Sequence, residues 1–186
     1  PSTPGTPPVR PGPIFVTVVV PATPLPVGVT PPTVNQISGQ GGDHFGPVMS
    51  ADGQFIVYDP DGSIFLYNHQ THTTITVAEA GGGFSYSGQT ISADGRYVVF
   101  ASNASNLVPG VYVNSENVYL YDRESKSMEL VSDDDMDYIS SAPRLSGDGR
   151  YVVYGGWASD DKSYIFIWDR DSKTTVRLDH PVVDEG

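Results

Sequence analysis

Histidines, aspartates and serines are the residues whose type could do chemistry here, and their spacing decides what each can do. His69 and His72 lie at i and i+3 in a polar stretch and could share a metal ion, but no third ligand stands near them in sequence. Aspartates gather in residues 132–137 (SDDDMD), at Asp160-Asp161 and in Asp59-Pro60-Asp61-Gly62. Oxygen-rich loops of this kind can hold Ca²⁺, yet none has the ligand spacing of a dedicated calcium loop. Acidic hairpin turns account for all three. The expectation is no metal and no cofactor. For acyl transfer, no G-x-S-x-G nucleophile elbow exists, and His44, His69, His72 and His180 have no Ser or Asp context that would activate them. A tetrapeptide carrying both Ser and Asp does recur, but a catalytic group has no reason to recur once per repeat. The expected catalytic residues are none, and the chain is expected not to be an enzyme. Asn103-Ala104-Ser105 has the acceptor pattern of an N-linked glycan, which would make glycans covalent partners.

The recurring tetrapeptide sets the organisation of the chain. Ser50-Ala51-Asp52-Gly53 returns as Ser92-Ala93-Asp94-Gly95 and as Ser146-Gly147-Asp148-Gly149, at spacings of 42 and 54 residues. Asp-Gly between two β-runs is a strong hairpin signal, because Gly accepts positive φ and the Asp carboxylate caps the turn. Asp52, Gly53, Asp94, Gly95, Asp148 and Gly149 are thus predicted turn residues, with left-handed φ at each glycine. A strand pattern follows each turn: QFIVY (54–58), RYVVF (96–100) and RYVVY (150–154). A second comes after a variable gap: IFLY (64–67), VYLY (118–121) and IFIW (165–168). A third follows a polar turn: TTITV (73–77), SMELV (127–131) and TTVRL (174–178). Short apolar pieces at 47–49, 89–91 and 143–145 precede the turns and complete four strands per repeat. Middle strands such as Tyr97–Phe100 are apolar on both faces, which suits a sheet covered on both sides by other sheets. The predicted fold is all-β: a propeller-like stack of three four-stranded blades, at about 41–80, 81–135 and 136–180 within 41–186.

The same residues carry a family likeness. SADGRYVVFASNASNLVPG…NVYLYDRESKSMELVS and LSGDGRYVVYGG…YIFIWDRDSKTTVRL resemble the WD40-like repeat of TolB-type bacterial β-propellers. MSADGQFIVYD…SIFLYNHQTHTTITV is a more divergent copy, with Asn68-His69 where the others have Asp-Arg. Trp168-Asp169 stands at the place of the WD40 namesake pair, without a matching Gly-His. The resemblance covers residues 43–180 and implies fold more than function. Propellers of this kind serve as interaction platforms, as periplasmic envelope components and as substrate-gating domains beside hydrolases.

Residues 1–40 lie outside the likeness. Eleven of the 16 prolines fall in residues 1–32, a density that forbids helix and favours extended chain. Six threonines among them resemble O-glycosylated stalks. Within this arm, Ile14, Phe15, Val16, Thr17, Val18, Val19 and Val20 form an apolar run bounded by Pro13 and Pro21. A strand apolar on both faces needs a sheet to join, so the run is predicted to pair with another chain. Seven residues are too short to cross a membrane, and no longer apolar run exists.

Charge and length bound the partners. The net charge of −12 repels phosphate backbones, so nucleic acid is an unexpected partner. With no cysteine, thiol catalysis and disulfides are excluded. The chain starts at Pro1, so a processed product or an excised piece is expected. Three blades are too few for a ring, which takes about four to eight. Either further blades exist, or copies pool blades into a ring, or they stack into a fibre. The function read from these features is a structural, self-associating extracellular protein, bacterial, at the cell surface or in the periplasm. Its arm links subunits into an oligomer or filament, so its main partner is itself. The alternative is a fragment of an envelope propeller acting as a protein-interaction or substrate-gating module.

Overall fold

The computed structural model describes residues 44–60, 62–79, 85–110, 115–132, 136–158 and 162–178. The assembly strand at 14–20 and the rest of the arm lie outside them. Among the described residues there is no helix, and the strands form three four-stranded antiparallel sheets. Blade 1 is β1 (His44–Met49), β2 (Phe55–Pro60), β3 (Ile64–Asn68) and β4 (Thr73–Ala78). Blade 2 is β5 (Ser85–Ile91), β6 (Tyr97–Ser102), β7 (Asn117–Asp122) and β8 (Ser127–Leu130). Blade 3 is β9 (Met136–Leu145), β10 (Tyr151–Ala158), β11 (Ser163–Asp169) and β12 (Thr174–Leu178). Each blade is a meander in which sequence neighbours pair, the arrangement predicted from the repeat.

The first strands are longer than their apolar pieces suggest. β9 runs ten residues rather than the three of PRL, because Met136–Ala142 lacks the alternation that marks a strand and pairs with β10 through three register shifts. β10 runs on through Gly155-Gly156 to Ala158, a glycine pair that reads as a strand end.

Alternation places two cores between the blades. In β6, Val98 and Phe100 point at blade 1, where they meet Phe55, Val57, Ile64 and Leu66. Tyr97 and Val99 point the other way, toward Val152, Tyr154, Phe166 and Trp168 of blade 3. All six residues of β6 are buried, so blade 2 is covered on both faces. At about 25 cal/mol per Å² of apolar surface, these two interfaces are the main stabilising term.

Candidate functional site

The repeated turn is the same small hydrogen-bonded unit three times. The serine hydroxyl of Ser50, Ser92 and Ser146 donates to the aspartate two residues on, at 2.5, 2.6 and 2.5 Å. The same carboxylates accept the backbone N–H of Gln54, Arg96 and Arg150 at 2.9, 3.0 and 3.0 Å. The serine oxygens also accept the N–H of Phe55, Tyr97 and Tyr151, which fixes the start of each second strand. Gly53, Gly95 and Gly149 have φ of +73°, +69° and +70°, as the turn assignment requires. The hydroxyl and N–H donors hold Asp52 and Asp148 below the usual carboxylate range; at Asp94 they outweigh an opposing effect of burial.

Neighbouring turns are bonded to one another across blades. Asp52 N–H donates to the Ala93 carbonyl at 3.2 Å, and Ala93 N–H donates to the Gly147 carbonyl at 2.8 Å. Blades 1 and 2 therefore each give an N–H group to the turn of the next blade.

A ring and a guanidinium complete the joint. The Phe55 ring lies so close to Gly95 of blade 2 that a Cβ there would collide with it, and Tyr97 lies against Gly149 of blade 3 in the same way. Arg123 lies over the Phe55 ring at 4.4 Å, and Arg170 over the Tyr97 ring at 4.1 Å. Both guanidinium groups are held by the glycine of their own blade, Arg123 on the Gly95 carbonyl at 3.0 Å and Arg170 on the Gly149 carbonyl at 2.9 Å. Glycine is needed at 95 and 149 for its φ and for this approach. A ring from one blade thus packs against both a glycine and an arginine of the next.

Within blades 2 and 3 a second pair of arginines braces the sheet. Arg96 grips Asp122 with two bonds, at 3.1 and 2.9 Å, and Arg150 grips Asp169 at 3.0 and 2.8 Å. These contacts hold the Asp122 and Asp169 carboxyls down to about 2. Blade 1 has Gln54 and Asn68 at the corresponding places.

The far face of blade 3 repeats the face that blade 2 turns to blade 3, and no blade among the described residues lies against it. Tyr151, Val153, Ile165 and Ile167 correspond in register to Tyr97, Val99, Val118 and Leu120. Tyr97, Val99, Val118 and Leu120 are buried, whereas Tyr151, Val153 and Ile165 are 39%, 36% and 51% exposed. Val176 and Leu178, opposite Ile167 and Ile165, extend the apolar face with exposures of 57% and 47%. Together these side chains form an exposed apolar row.

The other candidates separate from this surface. His69 and His72 are exposed with ring centroids 6.0 Å apart, and the His72 Nδ1 bonds the Tyr67 hydroxyl at 2.8 Å. No group of three or more metal-ligating side chains occurs among the described residues. Asp59 accepts the Gly62 N–H at 2.9 Å, the part of a turn, while Asp61, Asp133–Asp135, Asp160 and Asp161 lie outside the described residues. Asn103 is exposed just beyond β6. The arginine–ring joint was not anticipated from the sequence. Its signal was the co-recurrence of Asp-Arg after the third strand with an aromatic residue two places after Gly53 and Gly95.

No family model matches the chain, and no curated protein does. Solved structures do. A putative TolB from Agrobacterium tumefaciens is similar at 19% identity and a TM-score of 0.56, over 77% of this chain and 48% of that one. Puromycin hydrolase is similar at 10% identity and a TM-score of 0.57, over 80% of this chain and 23% of that one. Porphyromonas gingivalis dipeptidyl peptidase 4 follows at 13% identity and 0.56, over 76% and 26%. The chain spans about half the length of that TolB and about a quarter of the two enzymes. These likenesses correct the expectation that the chain stands apart from enzymes, since a peptidase and a hydrolase contain the same architecture. The repeated turn had argued for a purely structural role, but a turn that builds blades is equally at home in an enzyme's propeller. No described helix is long and apolar enough to cross a membrane. The described blades have the fold of the TolB-type, WD40-like β-propellers.

Proposed function

We propose that the chain is a structural, self-associating propeller module that acts outside the cytoplasm, at a bacterial cell surface or in the periplasm. The bare far face of blade 3 carries this reading. It presents the side chains that blade 2 turns to blade 3, and completing the burial of each half-exposed one is favourable by about 1 kcal/mol. The arm takes part as a second link: its strand at 14–20 adds to a sheet of a neighbouring copy. Sedimentation velocity of the full chain over a wide concentration range tests the proposal, with discrete oligomers or filaments as the expected result. A monomer at every concentration contradicts it. Removing residues 1–34 tests the arm: loss of assembly with the blades still folded is expected, and unchanged assembly removes the arm from the account.

A second reading has its own support. The chain spans 48% of the TolB it resembles, so its blades also suit part of a larger propeller that binds a partner or gates a neighbouring domain. A well-behaved monomer that gains stability when joined to further blades of the same type favours that reading.

A further inference from the structure

We infer that the cleft between blades 1 and 2 binds an organic carboxylate with a small apolar body. The cleft has a volume of about 210 Å³. Phe55, Leu66 and Ile75 of blade 1 give it an apolar side, and Arg123 and Lys126 of blade 2 give it two cations. Its occupancy is independent of whether copies of the chain associate.

The repeat supplies an internal control, because the groove between blades 2 and 3 is built from the corresponding positions. There Lys173 is paired with Glu129 of blade 2 at 2.6 Å. Lys126 holds the place of Lys173: each follows its arginine by three residues, and each has a φ of +57°. Register puts Ile75 opposite Leu66 in blade 1, as it puts Glu129 opposite Leu120 in blade 2. Blade 1 thus has isoleucine where blade 2 has the carboxylate that meets the neighbouring lysine. The same register puts Asn68 of blade 1 where Asp122 stands in blade 2. The blade 1 wall therefore has neither acid, while both cations of blade 2 remain. Neighbouring acids have other partners: Glu124 pairs with Arg96 at 2.8 Å, and Asp94 accepts the Ser92 hydroxyl and the Arg96 N–H. Among the described residues no carboxylate forms an ion pair with Arg123 or Lys126.

A ligand carboxylate supplies what this groove lacks. Lys126 and the terminal amino groups of Arg123 donate to it as charge-assisted partners, while the Arg123 Nε–H stays on the Gly95 carbonyl. Asn68 accepts the Gln70 and Thr71 N–H groups through Oδ1, which leaves its Nδ2 as a further donor at the rim. The apolar body rests against Ile75, which is 41% exposed, and against Leu66. The volume lies below the roughly 300–1,000 Å³ of drug-sized pockets, so the body is about one ring in size.

Saturation-transfer difference NMR of the full chain, titrated with 3-phenylpropionate, tests the site. Saturable binding is expected, with the uncharged 3-phenylpropanamide weaker by about tenfold or more, the effect of one charge-assisted bond. Lys126→Asn, which tolerates the left-handed φ, is expected to weaken binding of the acid about tenfold. Ile75→Glu returns the carboxylate of the other groove and is expected to abolish binding, whereas Ile75→Gln should retain part of it. Both positions are exposed, and circular dichroism checks that the variants fold. The comparison of acid with amide needs no variant. No saturable signal, an amide that binds as well as the acid, or unchanged binding in Lys126→Asn or Ile75→Glu overturns the inference. So does a loss in Ile75→Gln as complete as in Ile75→Glu.

Discussion

At the scale of single residues, three glycines with the same φ do different work. Gly53 has only its backbone to satisfy, whereas Gly95 and Gly149 also make room for a ring of the preceding blade. Gly53→Val is expected to cost about 1–2 kcal/mol, the strain of a side chain at positive φ. Gly95→Val adds a collision with Phe55 and is expected to cost about 1–3 kcal/mol more. Urea denaturation of the two variants side by side checks this, and equal losses would remove the ring from the joint. The arginine over the ring should be felt as well. Arg123→Ala is expected to lower stability by about 1–2 kcal/mol. Arg123→Lys should recover only part of it, because an ammonium lacks the planar group that lies over Phe55 and bonds Gly95.

At the scale of strands and turns, most of the architecture was legible in the sequence. The recurrence of Ser-x-Asp-Gly marks every hairpin between the first two strands, and double-faced apolar runs such as Tyr97–Phe100 mark strands buried on both sides. What stayed hidden has physical causes. The outer part of β9 is polar and irregularly paired, so no period announces it. The joint between blades uses residues far apart in sequence, Phe55 with Arg123 and Tyr97 with Arg170, and only packing brings them together. Which side chains the far face of blade 3 exposes follows from register, which the repeat alone does not fix.

Ion pairing across the strands gives this scale its pH dependence. Asp122 and Asp169, each gripped by an arginine, titrate at about 2 in the fold against an ordinary 3.8. Lowered carboxyls contribute stability that is fully present above the unfolded value and is lost as pH falls through the folded one. The melting temperature is therefore expected to fall between about pH 4 and pH 2, with the three turn aspartates acting in the same direction. Asp122→Asn combined with Asp169→Asn should flatten that fall, and a variant with the wild-type acid profile would contradict the pairing.

At the scale of the whole molecule, two faces of the blade stack differ. Tyr58 and Tyr67 at the blade 1 end are buried, while Tyr151, Ile165, Val176 and Leu178 at the blade 3 end are exposed. The proposed self-association would bury this apolar end. The measurement that tests this most directly is negative-stain imaging of the full chain at low and high concentration. The account predicts rings or filaments whose building unit is a three-blade stack. Isolated three-blade particles at every concentration would contradict it.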